Sequence, residues 1–300
     1  MGRGARRERV QPRRGRGPRG VFSCAWDLAV LGRTLLNRGA YGRTRILEPE
    51  SVDLMFTNLN TAFPGHDHGL GFELYQHWYM GATATPHTAG HTGFTGTSLV
   101  LDPTTDSFLV VLGNSVHPVR TWRSGSAPRV AAGTHLARAV PVRPARGRTA
   151  WFSGTASATT ATLTLPAIDT SPGDARLRCA LWWDTEPTSD VLVLEATTDG
   201  GTTWQPVPFT TTRHGEEPQE HPAGSVTGWS GRVWHRLTAE LPAARQLTVR
   251  WRYGTDRLYV GRGAYVDASR VEADGEVVFD EARPADAARI QAVGWAASAD

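Results

Sequence analysis

Apolar residues recur at helical spacing in several segments of the first half of the chain. Leu28, Leu31 and Leu35 follow one another at intervals of three and four residues, which predicts a helix that Ser23 can cap. The segment EPESVDLMFT predicts a second helix that begins near Pro49, and APRVAAGTHLARAV predicts a third.

Between these helices the pattern changes to alternation, which is typical of strands. GLGFELYQHW places apolar side chains at Leu70, Phe72 and Leu74 and predicts one strand. TGTSLVLDPTTDSFLVVLGN predicts a hairpin, with strands over 98–101 and 108–112 joined by the turn DPTTD. We therefore expect residues 21–142 to form an α/β domain with mostly antiparallel strands.

The second half of the chain has a different pattern. PVRPARGR is typical of a linker, which we assign to residues 143–148. Short alternating strands separated by turns then continue to about residue 283, and this spacing predicts an all-β sandwich over 149–283. We interpret residues 284–300 as a C-terminal tail, either a short helix or a frayed end.

Composition and charge argue against nucleic-acid binding by the body of the chain. The 300 residues contain no lysine, and all 32 basic residues are arginines. Eight arginines and one acid, Glu8, lie in residues 1–20, so the remaining chain has 24 arginines against 28 acids and a net charge of −4. The positive charge belongs to a tail that we expect to be disordered, and it indicates no nucleic-acid surface on the body.

Hydropathy and cysteine spacing bear on membrane insertion, secretion and disulfide formation. No apolar run is long enough to span a membrane, and none follows the basic N-terminus as in a secretory signal. The compartment is therefore left open: cytoplasmic by default, extracytoplasmic for a longer form. Cys24 and Cys179 are far apart in sequence, so we expect two packed thiols and neither a disulfide framework nor a metal site.

The blocks GVFSCAWDLAVLGRTLLNRGAYG, ILEPESVDLMF, HGLGFEL and GHTGFTGTSLVLDP occur in this order over about a third of the chain. In this arrangement residues 21–122 resemble the C-terminal part of the serine β-lactamase and penicillin-binding-protein family, in its class C-like branch. The resemblance implies an incomplete β-lactamase/transpeptidase-like fold. It also implies acyl transfer to a serine followed by hydrolysis of a lactam, a cell-wall peptide or an ester.

The resemblance also assigns roles to four residues. His91-Thr92-Gly93 matches the family's third motif on a strand that lines the site, with His91 as proton donor or electrostatic partner of the nucleophile. Gly93 would let substrate approach the strand, and the backbone N–H of Phe94 would be an oxyanion-hole donor. No cofactor and no metal are implied.

The family's nucleophile motif is absent from this sequence. Ser-x-x-Lys cannot occur in a chain without lysine, and neither Tyr-x-Asn nor Ser-x-Asn is present. Both motifs precede the matching segment in the family, so we expect a truncated serine hydrolase that is inactive as given. Residues 1–20, read one base out of frame, can encode VVHDENAYSLGGVAGHAG, which resembles what precedes VFS in the family. We interpret this tail as a frame-shift scar, which sequencing of the upstream DNA tests.

The second half resembles the jelly-roll accessory modules of secreted enzymes, of the MAM-like or carbohydrate-binding sort. VLEATTDGGTTWQPV, LTVRWRYGTD and GRGAYVDASRV carry this resemblance. Some such modules hold structural calcium, and here Asp267 and Asp199 would be the residues to examine. The alternative function is therefore a carbohydrate- or cell-surface-binding protein without catalysis, although we expect most of the sandwich tryptophans to lie in the core.

Overall fold

A computed structural model describes residues 22–120, 125–171 and 173–299. The basic tail of residues 1–20, with its frame-shift interpretation, lies outside these described residues. The chain divides into two compact units between Val140 and Pro141. Described residues are mostly in β-sheets, with few helices.

The first unit combines helices with short strands. Its helices are α1 (Ala25–Leu36), α2 (Pro49–Met55), α3 (His77–Met80) and α4 (Ser126–Arg138). Its strands are β1 (Ala40–Tyr41), β2 (Thr44–Arg45), β3 (Glu73–Leu74), β4 (Ala89–Thr92), β5 (Ser98–Asp102) and β6 (Ser107–Val111). The last four strands form one antiparallel sheet in the order β3-β4-β5-β6.

Two small apolar clusters hold this first unit together. One is centred on Leu35, Val52 and Leu101, where α1 and α2 meet β5. The other contains Tyr79 and Met80 of α3 together with Val100. The helices α1, α2 and α4 and the β5–β6 hairpin lie where the sequence predicts them.

Three local expectations for this unit were wrong. Ser23 makes no cap, since Cys24 occupies the cap position of α1, and Cys24 is exposed and not packed. Of the strand expected around Leu70 and Phe72, only Glu73–Leu74 forms. The backbone turns at Gly71, where φ is +82°, and again at Tyr75, where φ is +54°, so the extended run is short.

The second unit is built almost entirely of antiparallel strands. They are β7 (Ala150–Phe152), β8 (Thr160–Thr164), β9 (Ala175–Asp184), β10 (Val191–Thr197), β11 (Gln205–Pro206), β12 (Phe209–Thr212), β13 (Gln219–His221), β14 (Ser225–Val226), β15 (His235–Leu241), β16 (Thr248–Gly254), β17 (Gly263–Ala273), β18 (Glu276–Asp280), β19 (Gln291–Val293) and β20 (Ala296–Ser298). A short helix, α5 (Pro284–Ala287), follows β18.

These strands form two sheets around one large core. The smaller sheet has the order β11-β10-β16-β8-β19, with β14 also paired to β10. The larger has the order β13-β12-β15-β9-β17-β7-β20, with β18 also paired to β17. Side chains alternate between buried and exposed along β15 and β16, as a sandwich requires, and Leu237, Val249 and Trp251 lie in the shared core. The sandwich-like sheets expected from the sequence are therefore present.

Residues 284–300 were expected to be a tail, and the structure corrects this. After α5, β19 pairs with β8 of the smaller sheet and β20 pairs with β7 of the larger one. Trp295 lies between these two strands and belongs to the core. No helix among the described residues is both long and apolar enough to cross a membrane.

Candidate functional site

Strand β4 carries the His91-Thr92-Gly93 motif and is paired unequally on its two sides. On one side β5 pairs with all of β4, from Ala89 opposite Leu101 to Thr92 opposite Ser98. On the other side β3 reaches only Ala89 and Gly90. No described strand pairs with His91 and Thr92 on that side, so an extended substrate can add to the sheet there.

The His91 side chain is exposed on this open part of β4. Its Nδ1 atom lies 2.9 Å from the carbonyl oxygen of Thr92. Because a carbonyl oxygen only accepts hydrogen bonds, this contact requires the proton on Nδ1 and makes Nε2 an acceptor in the neutral ring. His91 can therefore accept a proton at Nε2 or, once charged, donate one there.

A tight turn follows the motif and fixes its end. The backbone N–H of Gly93 donates to the Thr97 carbonyl oxygen at 2.7 Å, and that of Gly96 donates to the Gly93 carbonyl oxygen at 3.0 Å. A Cβ atom on Gly93 would lie 2.0 Å from Thr97 Oγ1, so a larger residue at this position would require the Thr97 side chain to rotate away. Phe94 is 43 % exposed at the tip, with the Arg120 guanidinium 5.0 Å from its ring centre.

Arg129 of α4 braces this turn from within the unit. Its residue surface is only 6 % exposed, and Nη2 donates to the carbonyl oxygens of Gly93 at 2.9 Å and Thr97 at 3.1 Å. Burial lowers the pKa of this guanidinium, while the nearby Tyr79 acts in the opposite direction. Sequence reasoning missed Arg129, because nothing in its local pattern distinguishes it from other helix arginines.

Tyr79 of α3 supports β4 from beneath. It is fully buried, and its pKa is raised above the ordinary value by burial and by the neighbouring Glu73. A Cβ atom on Gly90 would lie 2.7 Å from the Leu99 carbonyl oxygen and 3.0 Å from the Tyr79 hydroxyl. Gly90 therefore lets α3 and β5 approach β4 closely, and this contact positions the motif strand.

A second set of functional groups lies at one end of the sandwich. Glu186, Asp190 and Asp256 each offer a carboxylate oxygen within 4.8 Å of the other two, and these are the described residues that can hold a metal ion. Asp190 is fully buried, and burial raises its pKa to about 6. Burial, together with Asp256 and Asp190, raises the pKa of Glu186 to about 7. Sequence reasoning missed this cluster, although the loop DTEPTSD after a predicted strand was a usable signal.

The two carboxylates examined for calcium from the sequence lie elsewhere and have local roles. Asp267 accepts the backbone N–H groups of Arg146 and Ala268, both at 2.7 Å. Asp199 anchors a hairpin turn and accepts hydrogen bonds from the Thr203 hydroxyl at 2.6 Å and the Thr203 N–H at 2.9 Å. Neither belongs to the three-carboxylate cluster.

Comparison with known proteins identifies both units. The β-lactamase family model matches residues 1–134, a range that includes the basic tail. A protein of Escherichia coli (strain K12) named "Putative D-alanyl-D-alanine carboxypeptidase" is 37 % identical over 105 residues, which is 34 % of this chain and 24 % of that protein. A protein of the same name from Salmonella newport (strain SL254) is 36 % identical over 105 residues, which is 34 % of this chain and 24 % of that protein. The chain thus spans about a quarter of the length of the curated relatives it matches.

The first unit therefore matches the β-lactamase family model, and a second domain follows it in the same chain. The family model described as "Immune inhibitor A-like, MAM domain" matches residues 129–299, more than half of the chain. The chain belongs to that family, and the fusion of the two domains expected from the sequence is confirmed.

Proposed function

We propose that the first unit is the substrate-binding wall of a β-lactamase-type serine hydrolase with an α/β fold, and that this chain alone is catalytically incomplete. The observation that carries the proposal is the open edge of β4 at His91 and Thr92, next to the braced Gly93 turn. An acyl substrate would lie along this edge. The family's third motif serves this purpose, and the relatives' name suggests a peptide ending in D-alanyl-D-alanine.

In this proposal His91 provides Nε2 for proton transfer or for stabilising negative charge. The N–H of Phe94 provides a donor to the oxyanion, of a kind worth about 2.7–4 kcal/mol in the transition state. Thr92 and Gly93 keep the strand backbone accessible to substrate. These groups bind and polarise a carbonyl, but attack on it needs an activated nucleophile.

The missing chemistry is the serine and the lysine that tunes it. The sequence has no lysine and therefore no Ser-x-x-Lys, and it has no Tyr-x-Asn. We therefore expect the chain as given not to turn over substrate.

Turnover assays test this proposal directly. The purified full chain should hydrolyse neither nitrocefin nor p-nitrophenyl acetate above the rate in buffer. His91→Ala is the matched comparison, and it should give the same background rate. Hydrolysis that the His91→Ala substitution abolishes would show that the chain has a complete active site, and it would refute the proposed incompleteness.

A further inference from the structure

The outer face of the larger sandwich sheet carries an open cleft of about 550 Å³. It is lined by Thr212, Arg213, His214, Gly215, Trp234 and Arg236. Trp234 directly precedes β15, Arg236 is exposed at the second position of that strand, and both side chains line the cleft. The cleft therefore places an aromatic ring beside a cation.

The arginines on this face differ in whether they form an ion pair with a carboxylate. Arg176 forms an ion pair with Glu240 at 2.6 Å, and Arg178 and Arg270 both pair with Glu272 at 2.9 Å. The Arg236 guanidinium makes no hydrogen bond and no ion pair with any residue that the structure describes. Its cross-strand neighbours are Thr212 and Ala180, which are both neutral. Of these four arginines, only Arg236 lacks a carboxylate partner among the described residues.

The aromatic ring in the cleft is held in place. Trp234 Nε1 donates to the Arg143 carbonyl oxygen at 2.8 Å, and the ring packs edge-on against Tyr265 with centroids 6.4 Å apart. Trp234 is only partly buried, so part of its apolar surface faces the cleft. A fixed ring binds a flat apolar partner with little loss of side-chain entropy.

We propose that this cleft binds an acidic saccharide. The C–H face of a pyranose ring stacks on Trp234, and a carboxylate or sulfate group on the sugar accepts hydrogen bonds from the Arg236 guanidinium, which matches such planar anions in a two-pronged geometry. Arg213 lies at the same cleft, although its pairing with Glu216 at 3.0 Å neutralises much of its charge. This binding function is separate from the proposed hydrolase chemistry and does not rest on it.

Charge distinguishes a saccharide from a nucleic acid at this site. Residues 141–300 contain 16 arginines and 20 acids, a net charge of −4. A nucleic acid needs several phosphates neutralised at once, whereas one unpaired guanidinium beside one ring fits a single acidic sugar unit.

Short oligosaccharides test the proposal in the whole 300-residue chain. The eight arginines of residues 1–20 are replaced by serine in every sample, because a basic tail attracts any polyanion. Calorimetric titration uses trigalacturonate as the carboxylated sugar, a heparin-derived tetrasaccharide as the sulfated sugar and maltotriose as the neutral one. At least one acidic sugar should bind saturably, and which one binds identifies the anionic group.

Two substitutions on the same sheet face decide whether the cleft is responsible. Arg236→Gln should weaken the binding of the acidic sugar tenfold or more. Arg176→Gln removes an arginine that already pairs with Glu240 and should change the affinity less than twofold. The proposal is overturned if neither acidic sugar binds, if maltotriose binds as tightly, or if both substitutions weaken binding equally.

Discussion

Replacing Asp190 with asparagine should stabilise the second unit at pH 8 and leave its stability nearly unchanged at pH 4.5. Asp190 is fully buried between Glu186 and Asp256, and no described cation forms an ion pair with any of the three. Each ionised carboxylate therefore lies close to others of the same charge. An uncharged amide at position 190 removes that repulsion.

The magnitude follows from the pKa of the buried carboxyl. Burial raises the pKa of Asp190 from 3.8 to about 6, so the folded state retains a proton that the unfolded chain releases between these values. The free energy of unfolding therefore falls as pH rises from about 4 to 6 and stays lower above that range, by about 3 kcal/mol for this group. Glu186, with its pKa raised to about 7, extends the decline to neutral pH. Allowing for weakened hydrogen bonds to the amide, Asp190→Asn should gain about 1–3 kcal/mol at pH 8.

Urea unfolding followed by tryptophan fluorescence measures this effect, since eight of the 11 tryptophans lie in residues 141–300. EDTA keeps stray cations from screening the carboxylates. Asp199→Asn is the control, and it should lower the free energy of unfolding at pH 8. Hydrogen bonds from Thr203 hold the pKa of Asp199 below its usual range, so its ionised carboxylate stabilises the folded state. A wild-type stability that rises between pH 4.5 and 8, or an Asp190→Asn variant that loses stability at pH 8, would show that ionised Asp190 does not destabilise the fold.

Two further predictions concern the first unit. Arg129→Met should lower its free energy of unfolding by about 2–4 kcal/mol, because the carbonyl groups of Gly93 and Thr97 lose their buried donor. Arg138→Met, at the exposed end of the same helix, should have little effect in a urea titration followed by the helical circular-dichroism signal, which comes mainly from the first unit, and equal losses would contradict the bracing role. Limited trypsin digestion should leave a fragment that begins near residues 143–148, because the sandwich has one large core whereas the first unit has two small ones. Survival of residues 22–140 instead would contradict this expectation.

Strong local patterns made much of the fold predictable. Helical spacing of Leu28, Leu31 and Leu35 predicted α1, and alternation around the DPTTD turn predicted the β5–β6 hairpin. Alternation along β15 and β16 likewise predicted sandwich strands. Along β15 and β16 the burial also alternates with the period of a strand, so local and long-range preferences agree there.

What the sequence did not reveal depends on long-range contacts. β19 and β20 are only three residues each, and they become strands because β8 and β7 offer edges to pair with. Asp256 joins Glu186 and Asp190 only through the folding of two loops that are far apart in sequence. The contact of Arg129 with the Gly93 turn spans 36 residues, and no pattern in one sequence reports such a pair.

We propose that the first unit presents a substrate-binding strand without the serine and lysine that form an acyl-enzyme. Intact-mass spectrometry of the full chain after incubation with excess benzylpenicillin tests this claim most directly. The mass should remain unmodified, because His91 and Phe94 can bind a carbonyl group and stabilise charge but cannot form an acyl-enzyme. A single stoichiometric penicilloyl adduct that peptide mapping places on one serine would contradict it.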